Sequence, residues 1–331
     1  LLGVLPGTGG LTRLVDKRKV RRDIADFFST LVEGVRGKRA VEWRFVDALY
    51  ARSRFDEAVS QRAADLAASS DRPSSGPGVT LGPLEVTRSG DRFEYSTVTV
   101  EINRMKRTAD LTVLGPDGPQ PSDAKAMLAL GDQYWPLRAF RELDAALLHL
   151  RLNEPEIGIV VLKTQGDREA VLAIDRTLAS HRDHWLAREI LHFMKRTLKR
   201  LDLTAKSFIA LIEPGSGFAG SLLELALAAD QSFMLDDPDQ PTAIAMSVLN
   251  GGALPMSTGL TRLQTRFLGE PDKVETLLAI GEAIEPHVAL QIGLVSFTPD
   301  ELDWDDEIRL MLEGRASLSP DALTGLEANL R

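Results

Sequence analysis

Apolar residues recur at three- and four-residue intervals over Val20–Leu31 and Phe55–Leu66, which predicts two amphipathic helices and a largely helical opening segment, about Leu1 to Leu66. The spacing then disappears. ASSDRPSSGPG, Ala68 to Gly78, is rich in Ser, Pro and Gly and reads as a linker. Beyond it the period shortens. LEVTRSGDRFEYSTVTVEI predicts extended runs broken by a turn at Ser89-Gly90-Asp91, and TADLTVL, Thr108 to Leu114, predicts a further strand. Leu137 to Leu152 returns to the helical period. IGIVVLK and SFIALI (Ser207 to Ile212) read as short buried strands, with a helix from about His184 to Leu201 between them. EPGSGFAG leads from SFIALI into SLLELALAAD, a helix start near Ser221, and QSFML is another strand. From about Arg262 the pattern is helical again. Buried strands alternating with helices predict an α/β domain.

The chain repeats itself. Leu5, Pro6, Gly10, Leu11, Thr12, Arg13 and Leu14 match Leu254, Pro255, Gly259, Leu260, Thr261, Arg262 and Leu263, seven identities in ten positions. Each motif runs on into an acidic helix. This predicts a tandem duplication whose first copy lacks its front, with boundaries at 1–67, a linker at 68–83 and a second copy at 84–331. The chain begins with Leu inside a motif, so it is expected to be a fragment lacking both ends.

The composition of the 331 residues, 44% hydrophobic and 26% charged, suits about two globular domains. A net charge of -9 argues against nucleic acid or an anionic membrane as the main partner. There is no Cys, which excludes disulfides, thiolate catalysis and Cys-ligated zinc and fits a cytoplasmic setting. No apolar run approaches the ~18 residues of a membrane span.

The candidate chemistry lies in IALIEPGSGFAGSLLELALAAD. Gly215, Gly217 and Gly220 let the backbone turn tightly, and the free N–H groups of a helix starting near Ser221 favour negative charge. Aimed at a carbonyl oxygen, such donors form an oxyanion hole, with Glu224 one turn along to move a proton. The alternative is that the glycines permit close packing and Glu224 faces the helix dipole. Three further clusters are candidates with bland readings as solvated faces: Lys17, Arg18, Lys19, Arg21 and Arg22; Lys195, Arg196, Lys199 and Arg200; and the pair His181 and His184. No metal site is expected.

The same stretch resembles the signature of the enoyl-CoA hydratase/isomerase (crotonase) family. Gly220, Glu224, Leu225, Ala226 and Asp230 fall on its Gly-Gly-Gly-x-Glu-Leu-Ala…Asp pattern, with Ser221 and Leu222 in place of the second and third Gly. LPGTGGLTRL resembles the family's second signature, and the resemblance covers most of the chain. It implies an α/β, crotonase-like ββα spiral in tandem copies plus helical segments, and lyase chemistry on an acyl-CoA substrate. Within the family the similarity points to two-copy members that open the ring of an aromatic CoA thioester, with no cofactor beyond the CoA of the substrate and a homo-oligomeric assembly. Carried over residue by residue, it makes Glu224 catalytic, and Gly217, Gly220, Ser221, Gly9 and Gly10 oxyanion- or substrate-binding. Three positions depart from the pattern. Ser221 stands at the second donor, Ser247 or Val248 where a second Glu is usual, and Gly166-Asp167-Arg168-Glu169-Ala170 where an Ala-Gly stretch supplies the first donor. The second copy is therefore expected to be inactive alone, with the working acids upstream of Leu1.

Overall fold

The computed structural model describes residues 9–72 and 75–330. The chain divides into two units, Leu1–Pro77 and Gly78–Arg331; the division lies inside the stretch 68–83 read as a linker.

The described part of the first unit is helical, as its spacing predicts. α1 (Gly10–Thr12) runs into a π-helical turn at Arg13–Lys17, followed by α2 (Arg22–Thr30), α3 (Lys38–Glu42) and α4 (Phe55–Ala68). Phe28 lies 4.4 Å from Phe45, and Trp43 packs edge-on to Phe27 and Phe45, ring on ring.

The second unit is built on a seven-stranded sheet in which the strands lie side by side in chain order: β1 (Thr87–Ser89), β2 (Arg92–Glu94), β3 (Val98–Asn103), β4 (Thr108–Leu114), β5 (Ile159–Gln165), β6 (Ser207–Ile212) and β7 (Gln231–Met234). β1 to β4 pair antiparallel and β4 to β7 parallel. The sequence accounts for the change. β3 alternates buried and outward positions, as a strand with one wet face does, whereas all six residues of β6 are buried. Parallel neighbours need crossovers, and helices supply them. α5 (Ala124–Leu130) and α6 (Trp135–Asn153) link β4 to β5; α7 (Arg168–Ser180) and α8 (Trp185–Asp202) link β5 to β6; α9 (Gly220–Ala228) links β6 to β7. The mixed α/β class is the one the sequence predicts.

α6 and α8 pack together over one face of the sheet. α8 presents Leu186, Ile190, Met194, Leu198 and Leu201, a stripe at helical spacing that is buried from end to end. After β7 come α10 (Arg262–Arg266), α11 (Pro271–Leu278), α12 (Pro286–Gln291), α13 (Trp304–Ala316) and α14 (Pro320–Leu330). α13 covers the opposite sheet face, where Ile308, Met311 and Leu312 meet Ile159, Val161, Ile209, Leu211 and Phe233.

Two local expectations change. Between β5 and β6 the sequence predicts one helix, and there are two. The first of them, α7, starts immediately after Gly166, with the Asp167 side chain accepting from the Glu169 N–H. The stretch aligned with an oxyanion-donating loop is therefore a capped helix start. The two copies of the repeated motif also fold differently. Thr12 ends α1, whereas Thr261 caps α10 in a reciprocal pair with Gln264, so that Arg262 is the first residue of a helix. Leu5, Pro6, Gly7 and Thr8 of the first motif lie outside the described residues.

Candidate functional site

β6 ends at Ile212 and the chain reverses over Glu213–Pro214–Gly215, with Gly215 at φ +77°. Ala219 is extended, and Gly220 opens α9 at φ +48°. α9 is apolar on every side and buried from Gly220 to Leu227, so its N-terminus points into the interior and not at solvent. An interior helix start needs acceptors for its free N–H groups, and the chain supplies them. The Gly220 N–H donates to the Ala245 carbonyl at 2.9 Å, and the Ser221 N–H donates to Asp175 Oδ2 at 2.7 Å.

Asp175 comes from α7 and is fully buried. The same Oδ2 accepts a second hydrogen bond, from Ser247 Oγ at 2.7 Å. It lies so close to the backbone that a Cβ on Gly220 would be 2.0 Å from it, which requires glycine there twice over, for the left-handed φ and for the space. The carboxylate therefore sits where the partial positive charge of α9 and a free amide would hold an anion. Burial pushes the Asp175 carboxyl up to about 6, against the pull of its hydrogen bonds to Ser247 and Ser221, and the neighbouring Glu224 charge pushes the same way.

Ser247 begins a short 3-10 turn, Val248–Gly251, in which Ser247 and Asn250 cap each other. Asn250 extends the network: its Oδ1 accepts from the Ser247 N–H at 2.8 Å, and its Nδ2 donates to the Gly220 carbonyl at 2.9 Å and to Glu224 Oε1 at 2.7 Å. The other oxygen of Glu224 accepts from Arg262 at 2.8 Å, and Arg262 reaches on to Asp202 Oδ2 at 2.7 Å and the Leu254 carbonyl at 3.3 Å. Glu224 and Arg262 each leave only 1% of the side chain exposed. Burial raises the Glu224 carboxyl above its ordinary range, with the Arg262 charge opposing. A continuous polar chain, Asp175–Ser247–Asn250–Glu224–Arg262–Asp202, thus ties α7, α8, α9 and α10 together inside an apolar core.

The structure places each residue of the predicted site. Glu224 stands one turn into the helix, as predicted, but both of its oxygens are engaged by Asn250 and Arg262 and it faces the core. Gly220 and Ser221 form the helix take-off, yet their amides go to Ala245 and Asp175 and do not converge on a cavity. Gly217 is buried in the turn before α9, where a Cβ would meet the Gly166 carbonyl at 3.4 Å; it serves close packing of two turns. Gly9 and Gly10 belong to the first unit, as the cap and first residue of α1. Of the two positions aligned with the usual second acid, Ser247 is the one in the network, as a donor to Asp175.

The remaining candidates are peripheral. In the first basic cluster, Arg18 pairs with Asp47 at 2.8 Å and Arg21 with Asp23 at 2.6 Å; the Arg21 contact holds Asp23 down at about 2. His184 caps α8, its Nδ1 facing the Leu186 N–H at 3.3 Å, and His181 Nδ1 lies 3.0 Å from the Thr177 carbonyl. Arg200 pairs with Asp144. Among the described residues no group of three His, Asp or Glu could hold a metal ion, and no helix is long and apolar enough to cross a membrane.

Four residues of the network were not singled out from the sequence: Asp175, Asn250, Arg262 and Asp202. Two carried a signal. Arg262 lies inside the repeated LTRL motif. Asp175 falls four residues after Val171 and three before Leu178, on the buried stripe of an amphipathic helix, where a carboxylate needs a specific partner.

No family model matches the chain. It is 48% identical over 332 residues to a curated protein, the benzoyl-CoA-dihydrodiol lyase of Aromatoleum evansii; the alignment takes in 100% of this chain and 60% of that protein. The chain thus spans less than two thirds of that relative's length. Similar solved structures include an enoyl-CoA hydratase from Geobacillus kaustophilus (20% identity, TM-score 0.48, covering 74% of this chain and 81% of that one). Another is an enoyl-CoA hydratase/isomerase from Xanthobacter autotrophicus (17% identity, TM-score 0.48, covering 72% and 79%).

Proposed function

We propose that this chain is part of a carbon–carbon lyase acting on a CoA thioester, with residues 78–331 as a crotonase-like unit that supports the enzyme and does not itself turn over substrate. The reaction assigned is that of a benzoyl-CoA-dihydrodiol lyase: opening of the ring of 2,3-epoxybenzoyl-CoA with two waters, giving 3,4-dehydroadipyl-CoA semialdehyde and formate. The observation that carries the assignment is the 48% identity to such a lyase along the whole chain.

Asp175 favours the supporting role for the second unit. Polarising a thioester carbonyl takes amide donors that are unoccupied until charge develops on the oxygen. Here the Ser221 amide is already saturated by an internal carboxylate. A thioester oxygen placed there would meet a partial negative charge in place of a donor. Glu224 is likewise committed: taking up a proton as a base would leave the Arg262 guanidinium buried with one counter-ion fewer. In this reading the acid/base and oxyanion groups of the lyase lie outside the network, and the network keeps four helices in register.

Formate release from 2,3-epoxybenzoyl-CoA by the lyase containing this chain tests both halves. Glu224→Gln is expected to leave kcat within a few-fold and to lower the unfolding midpoint. Turnover reduced by orders of magnitude with an unchanged midpoint would assign Glu224 to the chemistry and overturn the supporting role; absence of formate from the unmodified lyase would overturn the assignment.

A further inference from the structure

Beside the polar network a groove of about 880 Å³ opens between the corner joining α7 to α8, the Val248–Gly251 turn and the residues following α11. Its floor is apolar, with Met246, Leu249, Ala253, Leu278 and Ile280 among the lining side chains. Its rim is basic. Arg182, Arg188 and Lys195 line it together with His192, against one acidic side chain, Asp183. None of the three cations is in an ion pair among the described residues; Lys195 meets only His192 Nδ1, at 3.2 Å. Uncommitted cations thus rim an apolar floor.

The volume falls in the range of pockets that bury small organic molecules. An apolar floor recognises a hydrocarbon body, and guanidinium groups recognise a carboxylate by paired N–H donors. The groove reaches the network at Ser247, whose hydroxyl is turned to Asp175. Those two side chains stand between a ligand in the groove and the Ser221 amide, so that a molecule seated here is bound and not polarised. We propose that this groove is a binding site for an amphiphilic organic carboxylate, its body on Leu249, Ala253, Leu278 and Ile280 and its carboxylate against Arg182 and Arg188.

Calorimetric titration of the whole chain with 3-phenylpropionate and with hexanoate, each beside its neutral carboxamide, tests this. Either acid is expected to bind at least about tenfold more tightly than its amide, and comparison of the two tells an aromatic from an aliphatic body. The double variant Arg182→Ala/Arg188→Ala is expected to weaken the acid by about tenfold or more while sparing the amide. Gly281→Trp supplies an independent route. A Cβ at Gly281 meets nothing within 4 Å, so an indole there fills the groove without a clash at its root and is expected to abolish binding of acid and amide alike. Equal affinity for acid and amide would overturn the proposal, as would indifference to both variants. Binding of free coenzyme A with neither acid bound would also overturn it, because phosphate and not carboxylate recognition would then be at work.

Discussion

Asp175→Asn isolates the charge of the buried carboxylate from its shape. In the native chain Oδ2 takes the hydrogen bonds of Ser221 and Ser247, while Oδ1 is buried without a partner. An asparagine can present its oxygen to the same two donors, leaving its NH₂ where Oδ1 lies. A protonated aspartate faces the same unpartnered position with its O–H, so below the ordinary carboxylate range the two proteins should be about equally stable. Above it they diverge. Because the folded value is raised to about 6, the folded state binds this proton more tightly than the unfolded chain does. The stability that the protonated group contributes is complete below the unfolded value and is lost as the pH rises through the folded one. The rise is worth about 3 kcal/mol, and asparagine does not share the loss. Urea unfolding of both proteins, followed by tryptophan fluorescence at intervals from about pH 4 to about pH 8, reads the difference directly, since titrating groups not coupled to Asp175 cancel between them. Asp175→Asn should gain on the native protein by about 3 kcal/mol across that range, most of it between about pH 4 and pH 6.5. A difference independent of pH would refute the buried, ionised carboxylate.

Gly220→Ala should cost about 3 kcal/mol or more, from a left-handed φ and a Cβ 2.0 Å from Asp175 Oδ2; combining it with Asp175→Gly should return part of that loss, and strict additivity in a double-mutant cycle would count against the contact. Arg262→Leu leaves Glu224 and Asp202 buried without their shared cation and should destabilise by about 3–5 kcal/mol in chemical unfolding; a loss below about 1 kcal/mol would mean that the carboxylates have other partners. Ser247→Ala removes one of the two donors to Asp175 and should move its titration above about pH 6, measured by repeating the same comparison with Ser247→Ala present in both the native and the Asp175→Asn proteins; an unmoved midpoint would mean that the hydroxyl does not act on the carboxylate.

The strands were legible because burial alone writes their sequence. Thr108–Leu114 and Ser207–Ile212 are extended runs of apolar and β-branched residues between turn formers, and both are strands with those same bounds. The helix take-off at Gly220 was legible because a positive φ beside a buried strand end selects glycine. What happens at that take-off was not. Its amides are answered by Ala245 and Asp175, and Asp175 lies 46 positions before Ser221, on a helix hidden from the reading by the loop aligned over its first turn. Spacing along a helix shows that Asp175 faces inward but not which amide it meets. Arg262 poses the same difficulty: Thr12-Arg13 and Thr261-Arg262 read alike, and only the packing of α8, α9 and α10 makes the second arginine the counter-ion of two acids 38 and 60 positions away.

The supporting role of the second unit rests on a single hydrogen bond, from the Ser221 amide to Asp175. With ¹⁵N-serine labelling, the Ser221 amide can be followed by NMR as the pH is varied and as benzoyl-CoA is added. The resonance is expected to titrate with a midpoint near 6 and to hold its position at saturating thioester. A Ser221 amide that ignores the pH but shifts on addition of benzoyl-CoA would contradict that role, because the donor would then be free for a substrate oxygen.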